Sequence, residues 1–553
     1  MVLLFRERIV CIIASALSLV LALTPTVLRA QLIPHIAFNH TYGGLREDEG
    51  CGTIVQTGDS GFVVAGYTGD TVEPGLPDYH GGFEDAWIIK LDNAGNIVWQ
   101  KCLGGSKQEE CNSMIQTRDG GYCLAIRTES FDGDVVEIDS AYGGGSDGWI
   151  VKLTPDHQIQ WATVIGGSNW DDVLGIIQSD DGGYAVAGYT ESNDGCVTGH
   201  YGGDSVQDDD AWITKLDDSG KVQWSKCYGG LEQDWAESIV QTPDHGYCFA
   251  GFTYSHDGDV SGLHGYPLHT SSDAWVVKLD SAGNIEWQKC LGGDSTDWAT
   301  SIALTSDSGF IITGGTYSND GDVTGNHGGG DEWVVKLTAS GKIQWQRSLG
   351  GDTTDRGWSV KQTSDGGYIT AGMTMSNNGD VSGNHDGGDA WIVKLDANGT
   401  TEWQKCLGGT KLDVGYNVIQ LTNDDYAFTG WTGSSNGDIL FNHGNVDMWV
   451  VTLSNSSSVT NGTIPLPGSI SLYPQPATNS ITIDYNIQSA TSNLRIEVRN
   501  VLGMIVSRTD ENPGLYGPHE AQLDLTGLMP GCYFVSISGP GFSASAPFQV
   551  IPR

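Results

Sequence analysis

The chain has 553 residues and a formal net charge of −41, from 27 Lys and Arg against 68 Asp and Glu. A field of that sign repels nucleic acid and anionic lipid, which argues against both as partners. It favours cations and keeps an exported protein in solution.

At the N-terminus, Arg6 and Arg8, the apolar run Ile9–Leu23 and Ala30 before Gln31 follow the order of a secretory signal, predicted over residues 1–30. No later stretch approaches the roughly 18 consecutive apolar residues of a membrane helix. Export permits disulfides. Cys102, Cys227, Cys290 and Cys406 share one repeat position, and Cys123 and Cys248 share another. Two readings stand: bridges Cys102–Cys123 and Cys227–Cys248 between neighbouring units, or small buried hydrophobes.

Residues 31–453 are organised by one repeat. A block of the form D-A-W-V-V-K-L-D-x-x-G-x-I-x-W-Q-K-C-L-G-G occupies Asp85–Gly105, Asp147–Gly167, Asp210–Gly230, Asp273–Gly293, Asp331–Gly351 and Asp389–Gly409. A seventh copy begins at Asp447 and stops after Leu453, and its missing part stands at His35–Gly44. Each unit carries four strand signals; in the fourth they are Ser238–Thr242, Tyr247–Thr253, Asp273–Leu279 and Ile285–Lys289. Four-stranded units repeated radially make a β-propeller, which protects its sheet edges. The expected fold is therefore all-β: seven blades, with the last closed like velcro by His35–Thr41 beside Trp449–Leu453. Trp87, Trp149, Trp212, Trp275, Trp333, Trp391 and Trp449 recur once per unit, and are predicted to pack blade on blade.

In a four-stranded meander the loop between strands two and three shares a face with the connection between blades. The other face carries only tight turns. The long loops hold Asp-x-Asp patterns at Asp257/Asp259 and Asp320/Asp322, with Asn378 and Asp380 in the next unit. Such oxygens suit a hard cation such as calcium; Asp and Asn before Gly also make tight turns with their own backbone. The Asp two residues before each Trp is preceded in six units by a histidine: His80, His200, His264, His327, His385 and His443. These are metal ligands or loop-packing groups. The connections between blades add Asp171, Asp234, Asp297 and Asp355, with Trp235 and Trp298 beside them. Acids and aromatics ringed on one face form the candidate binding site for sugars or a protein.

Two resemblances to enzymes are discounted. Gly58-Asp59-Ser60-Gly61 falls at a hairpin turn that reads Asp119-Gly120-Gly121 elsewhere, and the related Asp-box-like turns lack the arginine cluster a sialidase needs. No zinc-protease helix, phosphate loop or nucleophile elbow is present. The third unit is the one whose loop departs most, with Asp204, Asp208, Asp209 and Asp210 together.

A polar linker, residues 454–468, precedes a second β unit over 469–553, expected to be a small β-sandwich. Leu472-Tyr473-Pro474-Gln475-Pro476-Ala477-Thr478-Asn479, then Val498-Arg499-Asn500-Val501-Leu502-Gly503, then Leu528-Met529-Pro530-Gly531-Cys532-Tyr533 run in order. This segment resembles the sorting domain of the type IX secretion system of Bacteroidetes, with Pro474, Pro476, Asn479, Gly503, Gly531 and Tyr533 at the motif positions. The resemblance implies passage across the outer membrane by that machinery, then release or attachment to surface lipopolysaccharide. The repeat region is similar to propeller-like secreted proteins of the same bacteria, a likeness that implies fold only. The functional expectation is a non-catalytic propeller, secreted or surface-attached, binding a glycan or protein with calcium as an optional partner. A secreted polysaccharide hydrolase and a structural surface-layer component are the alternatives.

Overall fold

In the computed structural model the described residues are 33–44, 46–50, 52–69, 79–135, 145–202, 208–265, 271–439, 441–455, 470–473, 480–487, 494–500, 504–511, 517–528, 531–539 and 542–550. The signal segment, most of the linker, and Asp204, Pro474, Pro476, Asn479 and Gly503 lie outside them. Among the described residues every regular element is a strand.

Alternation of apolar and polar residues, punctuated by Gly and Asp turns, gives seven antiparallel sheets before residue 455. Blade 4 is typical. Asp234–Gln241 is innermost, followed outward by Tyr247–Thr253, Asp273–Leu279 and Ile285–Leu291. The innermost strand thus starts four residues earlier than the sequence suggested, and the acids assigned to the connections between blades are its first residues. The other innermost strands are Glu109–Gln116, Asp171–Gln178, Asp297–Leu304, Asp355–Gln362 and Asp413–Gln420 in blades 2, 3, 5, 6 and 7. In blade 1 it is divided into Asp48–Glu49 and Ile54–Gln56.

The two ends of the repeat region meet in one sheet. His35–Tyr42 pairs antiparallel with Asp447–Ser454, in the register Thr41 to Trp449. Trp449 Nε1 donates to Asn39 Oδ1 at 2.6 Å, and Asn39 Nδ2 donates to the Asp438 carbonyl at 2.6 Å. Each repeated Trp is buried in a core shared with the preceding blade. Trp149 packs with Val63, Ala65 and Ile88 of blade 1, and Trp87 packs with Ala427 and Val450 of blade 7. Seven such cores close the ring. The architecture is a β-propeller.

On the face of tight turns, the buried Lys of each D-A-W-V-V-K strand reaches the Asp of the neighbouring hairpin. Lys90–Asp59 is 3.0 Å and Lys152–Asp119 is 2.9 Å. The Gly58–Gly61 segment is therefore a turn held by a lysine, with Ser60 at a φ of 66°. Among the described residues the cysteines form no bridges. Cys102, Cys123, Cys227 and Cys248 are free and buried, and each proposed pair is divided between two different cores.

After the linker, a three-stranded and a four-stranded sheet share one core that includes Ile481, Ile483, Leu494, Ile496, Val535 and Ile537. That is the expected sandwich. Tyr533 is buried in this core, and Gly531 opens the strand Gly531–Gly539.

Candidate functional site at the mouth of the ring

Strand alternation decides which side chains reach the loop face. Asp171, Asp234, Asp297 and Asp355 are fully buried. Asp355 Oδ2 accepts from Gly351 N at 2.8 Å and Ser376 Oγ at 2.8 Å, while Oδ1 accepts from Thr374 Oγ1. Asp171, Asp234 and Asp297 accept in the same way from a Gly N–H and a Ser hydroxyl. These acids lock the loops of one blade, and none of the four is presented to a ligand.

The next residue along the innermost strand takes the other side; in blades 1 to 6 it is Glu49, Glu110, Asp172, Trp235, Trp298 and Arg356, half-buried except for Asp172, which is buried. Each pairs across its sheet with the penultimate residue of the second strand: Glu49 with Tyr67, Glu110 with Arg127, Asp172 with Tyr189, Trp235 with Phe252. Together they form the rim of the central opening. The predicted Trp235 and Trp298 lie on this rim, half-buried.

Blades 2 to 4 join their rim residues into one network. Arg127 Nε donates to Asp172 at 3.1 Å, and its terminal nitrogens reach Glu110 at 3.3 Å and Glu129 at 2.9 Å. Burial would lower the guanidinium pKa, but these three carboxylates outweigh it and raise it. Tyr189 donates its hydroxyl to Asp172 at 2.5 Å and lays its ring on Trp235, with centroids 4.0 Å apart and planes 7° from parallel. Trp235 Nε1 donates to Asp209 at 3.0 Å. Glu191 has its pKa raised by burial and by a hydrogen bond to Asp209. The exposed Trp170 covers the Arg127 guanidinium at 5.4 Å. Arg127 and Tyr189 escaped the sequence reading, though a signal existed. In blades 1 to 7 the second strands end A-G-Y-T, A-I-R-T, A-G-Y-T, A-G-F-T, T-G-G-T, A-G-M-T and T-G-W-T, so the penultimate position varies inside a near-constant frame.

The Asp-x-Asp acids are spent on turns. Asp257 Oδ1 accepts from Leu231 N at 3.0 Å, and Asp320 Oδ1 from Asp294 N at 2.9 Å. Asp259 is bonded to Tyr201. Asp322 and Asp380 face the histidines His264 and His327 of the preceding blade, at 4.0 and 3.8 Å. Those histidines clamp the Asp before the Trp: Nδ1 is 2.7 Å from Asp273 in blade 4 and 2.7 Å from Asp331 in blade 5. Among the described residues no group of three or more His, Cys, Asp or Glu is arranged to hold a metal ion.

Residues 471–546 match the family model of the secretion system C-terminal sorting domain. This segment is a type IX sorting domain. It directs the protein out of the cell, to the surface or the medium, and engages the type IX machinery. Over 194 residues the chain is 26% identical to the regulatory protein FlaEY of Caulobacter vibrioides, covering 32% of this chain and 20% of that protein. It therefore spans about a fifth of the length of that relative. Among solved structures it is similar to PorZ, a surface component of the type IX system of Porphyromonas gingivalis, at 11% identity and a TM-score of 0.35, over 90% of this chain and 59% of that one. It is also similar to Sqt1 of Chaetomium thermophilum, at 12% identity and a TM-score of 0.38, over 72% and 82% of the two chains.

Proposed function

We propose that the exported propeller binds an extracellular glycan at the rim formed by blades 2 to 4, without catalysing a reaction. The observation that carries this reading is the flat Tyr189–Trp235 pair, flanked by the Arg127–Asp172 pair and by Asp209. A rigid aromatic face takes the apolar face of a pyranose ring at little entropic cost. Fixed carboxylates and a guanidinium beside it select hydroxyl positions through charge-assisted bonds. The rim positions differ from blade to blade inside a regular frame, which lets one sector of a symmetric scaffold carry a site. Surface lipopolysaccharide is one glycan source within this reading, and a protein partner would use the same rim. Calcium is not called on, because the loop acids already hold backbone and histidine groups.

A glycan array probed with the mature protein, followed by calorimetry on each hit, tests this. Binding that Trp235→Ala leaves untouched would sink the assignment. A second reading, hydrolysis of a glycosidic bond, needs two carboxyls about 5 Å or more apart, and the hydrogen-bonded Glu191–Asp209 pair is too close to serve as that pair. Release of new reducing ends that Asp209→Ala abolishes would replace the binding-only reading.

A further inference from the structure

The centre of the ring encloses a cavity of about 490 Å³ lined by the innermost strands. In blades 2 to 7 each of these strands carries a β-bulge at the same place. A bulge leaves one residue unpaired and re-aims it. Here it turns Asn112, Leu174, Glu237, Thr300, Trp358 and Tyr416 into the channel. Glu237 is the acid of that ring. Three residues further toward the turn face the lining includes Ile115, Ile177 and Val240, and in blade 6 Lys361.

Glu237 and Lys361 have no hydrogen-bond or ion-pair partner among the described residues. Burial alone pushes the Glu237 carboxyl up to about 7 and the Lys361 ammonium down. Both side chains are half-buried and face the channel, and ring stability does not need them, since other blades carry aliphatic residues at the Lys361 position. Three residues of strand rise separate the two levels by about 10 Å along the channel.

We propose that the channel binds a slim linear zwitterion, with its ammonium end at Glu237 and its carboxylate end at Lys361. A peptide of three residues with free termini spans about 10 Å when extended, and Trp358 and Tyr416, with ring centroids 5.3 Å apart, cover its flank. The proposal does not rest on the glycan reading, because its residues lie below the rim.

The probe is trialanine, titrated into the mature protein by calorimetry beside N-acetyl-trialanine and trialanine amide. Trialanine binds, and blocking either terminus weakens binding about tenfold or more, the scale of a lost charge-assisted bond. Glu237→Gln erases discrimination against the acetylated peptide, and Lys361→Met erases discrimination against the amide. Both variants keep the native circular dichroism spectrum, since neither group has a partner to lose. No binding of trialanine at about 1 mM, or equal binding of the blocked peptides, overturns the proposal. Trp235→Ala serves as the control: it removes rim binding and leaves the trialanine titration unchanged.

Discussion

His327 in blade 5 holds Asp331 of its own blade at 2.7 Å through Nδ1 and turns Nε2 toward Asp380 of blade 6, 3.8 Å away. His80 bridges Asp85 and Asp134 of blades 1 and 2 in the same way, at 3.0 and 3.5 Å. These histidines are seams between blades. Replacing His327 with Ala removes one clamp from an exposed edge, so a loss of about 1 kcal/mol is expected, read as a small fall in the chemical unfolding midpoint.

A larger effect is expected one layer in. Asp355→Ala strips the acceptor from Gly351 N, Ser376 Oγ and Thr374 Oγ1, leaving buried donors without partners. The expected cost is on the order of 3 kcal/mol or more. Asp355→Asn keeps an acceptor and is expected to lose less. Equal midpoints for the two variants would show that the lock does not depend on these bonds.

At the rim, Tyr189 permits a graded test. Tyr189→Phe keeps the stack on Trp235 and loses only the bond to Asp172, whereas Tyr189→Ala loses both. Glycan affinity is expected to fall a few-fold in the first and about tenfold or more in the second, measured by calorimetry on an array hit.

The buried thiols make a further prediction. Burial pushes Cys111 and Cys406 up to about 12, so they remain thiols at neutral pH and react slowly. A thiol reagent is expected to label these groups only after denaturation, and a reductant to leave the melting temperature unchanged. A drop in melting temperature with reductant would mean that bridges exist.

The ring was legible in the sequence because its signals are redundant: one Trp per unit, one Gly-Gly per unit, and a copy split between the ends. The site was less legible because it depends on single-residue phase. Asp234 and Trp235 are adjacent, yet one is sealed inside a blade and the other stands on the rim, and composition does not say which. The bulge that turns Glu237 into the channel inserts one residue with no turn signal of its own. Arg127 is set beside Glu110 by the strand register and meets Asp172 only across the seam to the next blade, which no local pattern announces. The cysteine pairs failed for a related reason. Recurrence at two repeat positions says nothing about which face of a blade each side chain takes.

The last prediction concerns pH. Asp147 and Asp210 are pushed up to about 8, mainly by burial and then by neighbouring carboxylates. Asp85, Asp273 and Asp389 reach only about 6, because a histidine donates to each of them against the effect of burial. The described part of unit 2 places no histidine on Asp147, and His200 in unit 3 reaches the Asp208 carbonyl instead of Asp210. All five folded values lie above the unfolded value of about 3.9. The folded state therefore binds more protons, and this contribution to stability is full below about pH 4 and is lost as pH rises through 6 and then 8. The turn-face acids act in the opposite sense. For Asp119, Asp244 and Asp307 burial raises the pKa, but hydroxyl, lysine and backbone N–H partners outweigh it and bring each to about 2, so their contribution fades as pH falls below about 4. The melting temperature is expected to peak near pH 5 and to decline toward pH 9. Asp147→Asn is expected to flatten the alkaline part of that decline, since an amide has no proton to lose there. An unchanged slope in that variant would show that Asp147 does not titrate in this range.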